Sequence, residues 1–167
     1  MHLKQRSYMN KVQNGFNMQD TKSASVPIGG QSVLSKDQCP VTVEEKEYMK
    51  EVPYAMALGC LMHIMVSTGP DIAHTLSILT RFMSNPGMEH WNALKWLLRY
   101  LRGTSDYGLT YYKKSEKVTL KGYVDVDYPS SRDTRRSTTS YVFLTNEDCI
   151  SWKSQLQSVV ALSTTEA

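Results

Sequence analysis

Residues 118–127 read Val-Thr-Leu-Lys-Gly-Tyr-Val-Asp-Val-Asp and decide the fold of the chain. The side chains alternate in direction here: Val118, Leu120 and Val124 point one way. The side chains that point the other way are those of Thr119, Lys121, Tyr123 and Asp125. A repeat of two residues is the period of a β-strand. Residues 118–127 are therefore predicted to form a strand that ends in two carboxylates.

Two further strands are predicted downstream, at residues 140–145 and 149–153. The link between them, residues 146–148, reads Asn-Glu-Asp, which is short and polar as a hairpin connection requires. The second half of the chain is therefore expected to be an antiparallel sheet.

Upstream of this sheet the apolar positions follow helical spacing. Residues 54–66 are apolar nearly all round, residues 70–79 begin with a proline suited to a first helical turn, and residues 91–101 carry an apolar stripe that Gly103 closes. Short turns separate these helices. Residues 44–104 are therefore assigned to a three-helix connection segment.

The N-terminal part is divided into two smaller pieces. Residues 1–20 contain a short amphipathic helix with apolar side chains spaced by four. Residues 21–43 are rich in Ser, Gly, Lys, Gln and Pro, which predicts an extended linker lying over a surface. With the sheet placed in residues 105–167, the predicted fold class is α+β.

Composition limits the class of protein and its location. The 167 residues are 41% hydrophobic with a net charge of +3, and no apolar run approaches the ~18 residues of a membrane span. The three cysteines, Cys39, Cys60 and Cys149, are far apart, which argues for reduced thiols and against a disulfide framework or a zinc site. Residues 1–16 lack the apolar stretch of a signal peptide. We expect an intracellular protein, cytoplasmic or nuclear, that makes no contact with membranes.

Asp125 and Asp127 are the sharpest chemical signal in the chain. Carboxylates two residues apart on a strand share a face and create the oxygen-rich site that Mg²⁺ prefers. Carboxylates at the end of a strand are also commonly no more than solvated side chains. The residues alone leave both interpretations open.

Basic side chains follow these carboxylates. Arg132, Arg135 and Arg136, together with Lys153, could contact the phosphates of a nucleic acid. Because the net charge is small, an ordinary solvated surface explains the same residues.

Two long stretches carry a resemblance to a known family. The stretch GYVDVDYPSSRDTRRSTTSYVFLTNEDCISWKSQLQSVVALSTTEA, from residue 122 onward, resembles the start of the ribonuclease H domain in Pol polyproteins of Ty1/copia-type retrotransposons. Residues 53–112, PYAMALGCLMHIMVSTGPDIAHTLSILTRFMSNPGMEHWNALKWLLRYLRGTSDYGLTYY, resemble the region of the same polyproteins that follows the polymerase core. Residues 11–28 and 33–54 also look like plant members. The resemblance implies a fragment that spans the end of the reverse transcriptase region and the opening strands of an incomplete ribonuclease H-like domain.

The resemblance also implies an activity, which is Mg²⁺-dependent hydrolysis of the RNA strand in RNA–DNA hybrids. Asp125 matches the first catalytic carboxylate and metal ligand of the family, and Asp127 lies beside it with a direct metal role that the family pattern leaves open. The expected partners are the RNA–DNA hybrid and the remainder of the Pol polyprotein.

The same resemblance predicts that this chain alone is inactive. The next family ligand is the second Glu of Ser-Thr-Thr-Glu-Ala-Glu-Tyr, so Glu166 is its neighbour and not the ligand itself. One carboxylate out of about four cannot fix a two-metal site, so no bound Mg²⁺ is expected.

Two alternatives stand beside this interpretation. The first is a non-enzymatic remnant that binds nucleic acid or another protein. The second is a Mg²⁺-dependent phosphotransferase of the haloacid dehalogenase type, which also places Asp-x-Asp after a strand. That enzyme requires a parallel sheet after Asp127, and the predicted strands favour an antiparallel one.

The last residues, 162–167, read Leu-Ser-Thr-Thr-Glu-Ala and carry a capping-box pattern. It predicts that the side chain of Ser163 accepts from the N–H of Glu166, and that the Glu166 carboxylate accepts from the N–H of Ser163. A helix is expected to begin here, so the chain is interpreted as a fragment. An unfinished sheet should also expose an edge and an apolar face.

Overall fold

Helices precede a three-stranded antiparallel sheet in the computed structural model, which describes residues 1–29, 33–112, 118–128 and 130–166. The elements in chain order are β1 (His2–Lys4), α1 (Arg6–Gly15), α2 (Val43–Glu51), α3 (Tyr54–Thr68), α4 (Ala73–Leu79), α5 (Met88–Gly103), β2 (Gly108–Thr110), β3 (Leu120–Asp127), β4 (Thr138–Thr145) and β5 (Asp148–Leu156). Short 3-10 turns cover Lys36–Gln38, Pro70–Ile72 and Thr80–Phe82. The predicted α+β class is confirmed.

Helices α3 and α5 form the centre of the hydrophobic core. The buried face of α3 carries Ala57, Leu58, Leu61 and Ile64, and the buried stripe of α5 carries Leu94, Leu97, Leu98 and Leu101. Each large side chain buried in this way stabilises the fold by about 1.5–3 kcal/mol. Helix α3 is not surrounded on all sides, because Met56 and Val66 are 61% and 69% exposed. None of the described helices has the length and apolar content that a membrane crossing needs.

Two tyrosine hydroxyls form hydrogen bonds between the helices of this layer. The Tyr54 hydroxyl donates to the carbonyl of Leu79 at 2.9 Å, and burial raises the pKa of Tyr54. The Tyr100 hydroxyl donates to the Asp71 carboxylate at 2.7 Å. These bonds fix α4 and its entrance against α3 and α5.

The N-terminal residues pack on the same core. Met9 and Val12 of α1 are buried there, and the Gln13 side chain donates to the carbonyl of Leu98 at 2.6 Å. Strand β1 pairs antiparallel with β2, with Leu3 opposite Leu109. The first residues are thus joined to the segment that leads into the sheet.

The predicted linker lies along α5. The Arg99 side chain donates to the carbonyl of Lys22 at 2.7 Å, and Trp96 Nε1 donates to that of Val26 at 3.0 Å. Residues 30–32 of this linker lie outside the described residues. The described part therefore follows the helical surface.

Strands β3, β4 and β5 form a sheet in that order, with β3 at one edge. Tyr123 lies opposite Val142, which lies opposite Trp152, and the ladder between β4 and β5 shifts between Phe143 and Leu144. The hairpin loop consists of Asn146 and Glu147, whose φ angles of 51° and 71° suit the tight turns that join antiparallel strands.

The sheet touches the helices mainly through β5 and α4. Trp152 Nε1 donates to the carbonyl of Met65 at 3.1 Å, and the hydroxyls of Ser77 and Ser154 lie 3.3 Å apart. The face that carries Trp152 and Ser154 is therefore the one turned toward the helices.

The capping-box prediction at residues 162–166 is wrong. The Glu166 carboxylate accepts from the N–H of Leu162 at 2.9 Å, one residue earlier than predicted. The N–H of Glu166 donates to the backbone carbonyl of Ser163 at 3.3 Å instead of to its side chain. The described residues here form a hydrogen-bonded turn and not a helix, and Ala167 lies outside them.

Candidate functional site at the end of strand β3

Asp125 and Asp127 lie on the face of the sheet that is turned toward the helices. The register places Asp125 opposite Ser140, which in turn lies opposite Ser154. The Ser140 hydroxyl donates to the Ser154 hydroxyl at 3.0 Å. Ser154 lies 3.4 Å from Nδ1 of His74. A row of polar side chains therefore crosses the sheet from α4 to β3, and Asp125 occupies its exposed end.

Arg81 is the cation of this site. Its guanidinium donates to the Thr138 hydroxyl at 2.9 Å and to the carbonyl of Ser77 at 3.2 Å. Burial lowers the pKa of Arg81, while the charges of Asp127 and Asp133 act in the opposite direction. Arg81 therefore joins the helical layer to the end of the sheet and attracts the nearby carboxylates.

Sequence reasoning did not identify Arg81, although a signal exists. It is the only Asp, Glu, Lys or Arg residue between Asp71 and Glu89. A single charge in an apolar helical stretch is seldom buried without a polar partner.

The described residues do not fit a two-metal centre. No group of three or more His, Cys, Asp and Glu side chains in that part of the chain is placed to hold a metal ion. Asp125 and Asp127 are exposed, and the charge of Arg81 lies close to Asp127. Mg²⁺ prefers an octahedron of oxygen ligands, which this arrangement does not assemble.

Glu166 lies on the other face of the sheet from Asp125. It lines a recess of about 440 Å³ together with Thr139, Tyr141 and Lys153. Tyr141 is the register partner of Val124 and of Lys153, whereas Asp125 pairs with Ser140. The sheet therefore separates these two carboxylates.

The three predicted arginines lie together in the connection between β3 and β4. The backbone N–H of Arg135 donates to the carbonyl of Ser131 at 2.7 Å, and that of Ser131 donates to the carbonyl of Arg136 at 3.1 Å. Arg135 has a φ of 56°, a left-handed conformation that is uncommon for residues other than glycine. Arg132 and Arg135 are exposed and Arg136 is half-buried.

This arginine turn is held against the helical half of the chain. The Asp133 carboxylate accepts from the backbone N–H of Lys36 at 2.9 Å. The Ser130 and Thr138 hydroxyls form a short hydrogen bond at the base of the turn. Lys153 does not belong to this group, because it lies on the opposite face of the sheet from Asp125. The structure thus brings Arg132, Arg135 and Arg136 together and leaves Lys153 apart.

Comparison with curated proteins gives long and continuous matches. Over 165 residues, 99% of its length, the chain is 50% identical to the retrovirus-related Pol polyprotein from transposon TNT 1-94 of Nicotiana tabacum. It is 33% identical over its whole length to the retrovirus-related Pol polyprotein from transposon RE2 of Arabidopsis thaliana. The chain spans only 12% and 11% of the lengths of these two polyproteins.

A shorter relative is covered more fully. The chain is 46% identical over 118 residues to the secreted RxLR effector protein 161 of Plasmopara viticola, a match that covers 71% of the chain and 82% of that protein. No protein-family model matches the chain. No solved structure matches it either.

Proposed function

Because retrovirus-related Pol polyproteins of plant transposons are homologues of this chain, we propose that it belongs to their family and is the copia-type Pol segment that joins reverse transcriptase to ribonuclease H. In this proposal residues 1–20 end the reverse transcriptase region, residues 21–43 are a linker and residues 44–104 form the connection. Residues 105–167 open the ribonuclease H region. The observation that carries the proposal is 50% identity over 165 residues, together with the order of helices followed by an antiparallel sheet.

The proposed activity of the intact polyprotein is Mg²⁺-dependent hydrolysis of the RNA strand of an RNA–DNA hybrid. We propose that the 167 residues alone do not carry it out and bind no Mg²⁺ at Asp125 and Asp127. The support is the ligand geometry: two exposed carboxylates with the Arg81 cation nearby cannot hold two metal ions between converging ligands.

The test is cleavage of a labelled RNA–DNA hybrid in the presence of Mg²⁺. The 167-residue chain is expected to give no product, while the Pol polyprotein from transposon TNT 1-94 serves as the positive control. Replacement by Asn of the aspartate of that polyprotein that aligns with Asp125 should abolish its cleavage of the hybrid. Cleavage by the 167-residue chain that Asp125→Asn removes would overturn the proposed inactivity.

A second candidate function is binding of the hybrid without chemistry, which the arginine turn favours. Two exposed guanidinium groups and a half-buried one lie on a turn whose backbone is held by hydrogen bonds. A rigid group of cations of this kind suits the phosphates of a nucleic acid strand.

Hybrid affinity measured over a series of salt concentrations tests this candidate. Arg132→Ala should weaken binding and reduce the slope of log affinity against log salt by about one. For Arg135 the better variant is Arg135→Gly, since glycine keeps the left-handed backbone while it removes the charge. Lys46→Ala on α2 is the control and should leave the slope unchanged. Equal slopes for all the variants would exclude the arginine turn as the binding surface.

The proposed location is intracellular, cytoplasmic or nuclear. Its support is that Cys39, Cys60 and Cys149 are all free thiols in the structure, as is usual in a reducing compartment. A fluorescent fusion of the chain expressed in plant cells, imaged in whole cells, tests the location; signal confined to the secretory pathway would contradict it.

A further inference from the structure

A small recess opens beside Arg81, where the segment that carries this arginine meets the turn that begins at Lys36. The recess has a volume of about 250 Å³, and six residues line it: Lys36, Cys39, Arg81, Phe82, Ser84 and Asn85. Two of these side chains are cations, and two more carry a hydroxyl and a carboxamide that can donate hydrogen bonds. None of the described residues that line the recess is an acid. The lining therefore favours an anion.

Arg81 has hydrogen-bond donors that the protein does not use. Its Nε donates to the carbonyl of Ser77 and its Nη2 donates to the hydroxyl of Thr138. Nη1 donates to no acceptor among the described residues, and no carboxylate of those residues forms an ion pair with Arg81. The side chain is half-buried, so water replaces the missing partners only in part. An acceptor bound in the recess would satisfy these donors.

The carboxylates of Asp127 and Asp133 act on the charge of Arg81 but do not line the recess. The Asp133 carboxylate accepts instead from the backbone N–H of Lys36 at 2.9 Å. That bond fixes the position of the Lys36 backbone and leaves its ammonium group available. The Lys36 side chain is exposed and forms no ion pair with the described residues. Both cations of the recess are therefore available to a ligand.

We propose that this recess binds one phosphate group between the guanidinium of Arg81 and the ammonium of Lys36. The oxygens of a phosphate point in several directions and accept strong hydrogen bonds from charged donors. They can accept from both cations and also from the Ser84 hydroxyl and the Asn85 carboxamide, which line the same recess. The oxygens of a carboxylate lie in one plane and would leave some of these donors unused. The lining therefore fits a tetrahedral anion better than a planar one.

The phosphate group has two possible sources, which are a free ion and the backbone of a nucleic acid strand. The bond between Asp133 and Lys36 joins the recess to the arginine turn, where we propose that a strand binds. Both sources present the same kind of oxygen to Arg81 and Lys36. The site itself is therefore tested with inorganic phosphate, and the source is tested separately.

Titration of the 167-residue chain with inorganic phosphate, at an ionic strength kept constant with sodium chloride, tests the site. Calorimetry should show saturable binding of one phosphate per chain. The backbone amide signals of Ser84 and Asn85 in NMR spectra should shift with the same saturation. Acetate is the control anion and should bind roughly tenfold more weakly or less. The proposal is overturned by absent saturation, by saturation without shifts at these two residues, or by equal binding of acetate.

Lys36→Gln tests the contribution of the ammonium group. The variant retains the backbone N–H that Asp133 accepts from, so the turn should persist. Phosphate affinity should fall roughly tenfold, because a hydrogen bond from a charged donor is lost. Lys46→Gln on α2 replaces an exposed lysine outside the recess and should leave the affinity unchanged. Unchanged affinity in Lys36→Gln, with circular dichroism showing a folded chain, contradicts the site.

Arg81→Lys is the second variant. It retains the positive charge but lacks the planar fork that reaches two oxygens at once, so it should also weaken phosphate binding. Circular dichroism again checks the fold. Full phosphate affinity in this folded variant would remove the guanidinium from the site.

Hybrid binding by Lys36→Gln distinguishes the two sources of the phosphate. If the group belongs to a strand, the variant binds the RNA–DNA hybrid more weakly and inorganic phosphate competes with the hybrid. If the group is a free ion, hybrid affinity is unchanged while phosphate binding is weakened. The measurements with inorganic phosphate contain no nucleic acid. Their failure is therefore distinct from a failure of the proposed nucleic-acid function.

Discussion

The helical layer of this chain has a buried hydrophobic core, whereas the sheet has none of its own. The core cluster draws all its buried side chains from residues between Met9 and Leu101, and strands β3 to β5 contribute none. In the sheet, the side chains of Leu120 and Val124 are each 68% exposed to solvent. The helices are thus stabilised by their own packing, whereas the sheet is held by its backbone ladders and by contacts at β5.

The helical layer and the sheet both have regular secondary structure, but regular secondary structure alone does not make two regions equally stable. Strands need at least one covered face to be stable, and here α4 covers β5 but not β3. We expect the free energy of local unfolding to be lower for the sheet than for the helical layer.

The largest effect expected is on the core. Leu61→Ala removes a fully buried side chain of α3 and should lower the free energy of unfolding by about 2–5 kcal/mol. Leu120→Ala, the matched truncation at a 68% exposed position of the sheet, should change it by less than about 0.5 kcal/mol. Urea denaturation followed by circular dichroism measures both. Similar losses for the two variants would remove the distinction between the layers.

The next largest loss of stability is expected where residues 35–40 pass close to the start of α5. A Cβ on Gly87 would lie 1.8 Å from the carbonyl oxygen of Gln38, so Gly87→Ala should cost roughly 1–3 kcal/mol as the backbones separate. The control is Gly59→Ala on the exposed side of α3, where nothing lies within 4 Å. That change should be neutral or stabilise the chain by up to about 1 kcal/mol. Thermal melts should therefore show a lower midpoint for Gly87→Ala and an unchanged or higher midpoint for Gly59→Ala.

Arg81 links the two regions, so its removal should affect the sheet more than the helices. Arg81→Met keeps much of the apolar stem but loses the bond to Thr138, at a cost of roughly 1–3 kcal/mol. Hydrogen exchange should show faster exchange in β4 and little change in α5. Arg81→Lys should rescue only part of the protection, because an ammonium cannot bond Thr138 and Ser77 with the same fork geometry. Equal acceleration in β4 and α5 would mean that Arg81 supports the whole fold.

The smallest effect expected is a pH dependence of the helical layer. Nδ1 of His90 accepts from the N–H of Gly87 at 2.9 Å, which requires a neutral ring, and burial lowers the pKa of His90. The unfolded chain therefore binds a proton more readily than the folded one near the ordinary histidine pKa of about 6.5. Stability should be full above that pH and fall as the pH drops below it.

His90→Gln should flatten this dependence between pH 7 and 5, as measured by urea midpoints at each pH. His63→Gln on α3 is the comparison variant and should retain the full slope. If the slope survives in His90→Gln, another group is responsible for it.

The sequence predicts a helix or a strand well where the apolar pattern within that element is enough to decide its structure. The helical stripe at Leu94, Leu98 and Leu101 and the alternation around Val124 were both recognised, because each pattern lies within a single element. Arg81 was missed because its partner Thr138 lies 57 residues further along the chain. Contacts of that range depend on how the elements pack, which no local pattern encodes.

Two capping-box patterns show the same limit. At Thr42 the box forms: its hydroxyl accepts from the N–H of Glu45 at 3.2 Å, and the Glu45 carboxylate accepts from the N–H of Thr42 at 3.1 Å. The pattern at Ser163 also predicts a box, but none forms there. Met49 packs α2 against the fold, while Leu162 is 84% exposed. A cap stabilises a helix only where packing also supports that helix.

The pairing of β1 with β2 has a consequence for the order of folding. The amino group of Met1 donates to the carbonyl of Tyr111 at 2.6 Å across a sequence separation of 110 residues. Closing a loop of that length in an unfolded chain carries a large entropic cost, and contacts of such range form slowly. Once α1 and α5 have docked, most of that loop is already closed. The ribbon of β1 and β2 should therefore form after the helices, so that its protection against hydrogen exchange appears last in a refolding experiment.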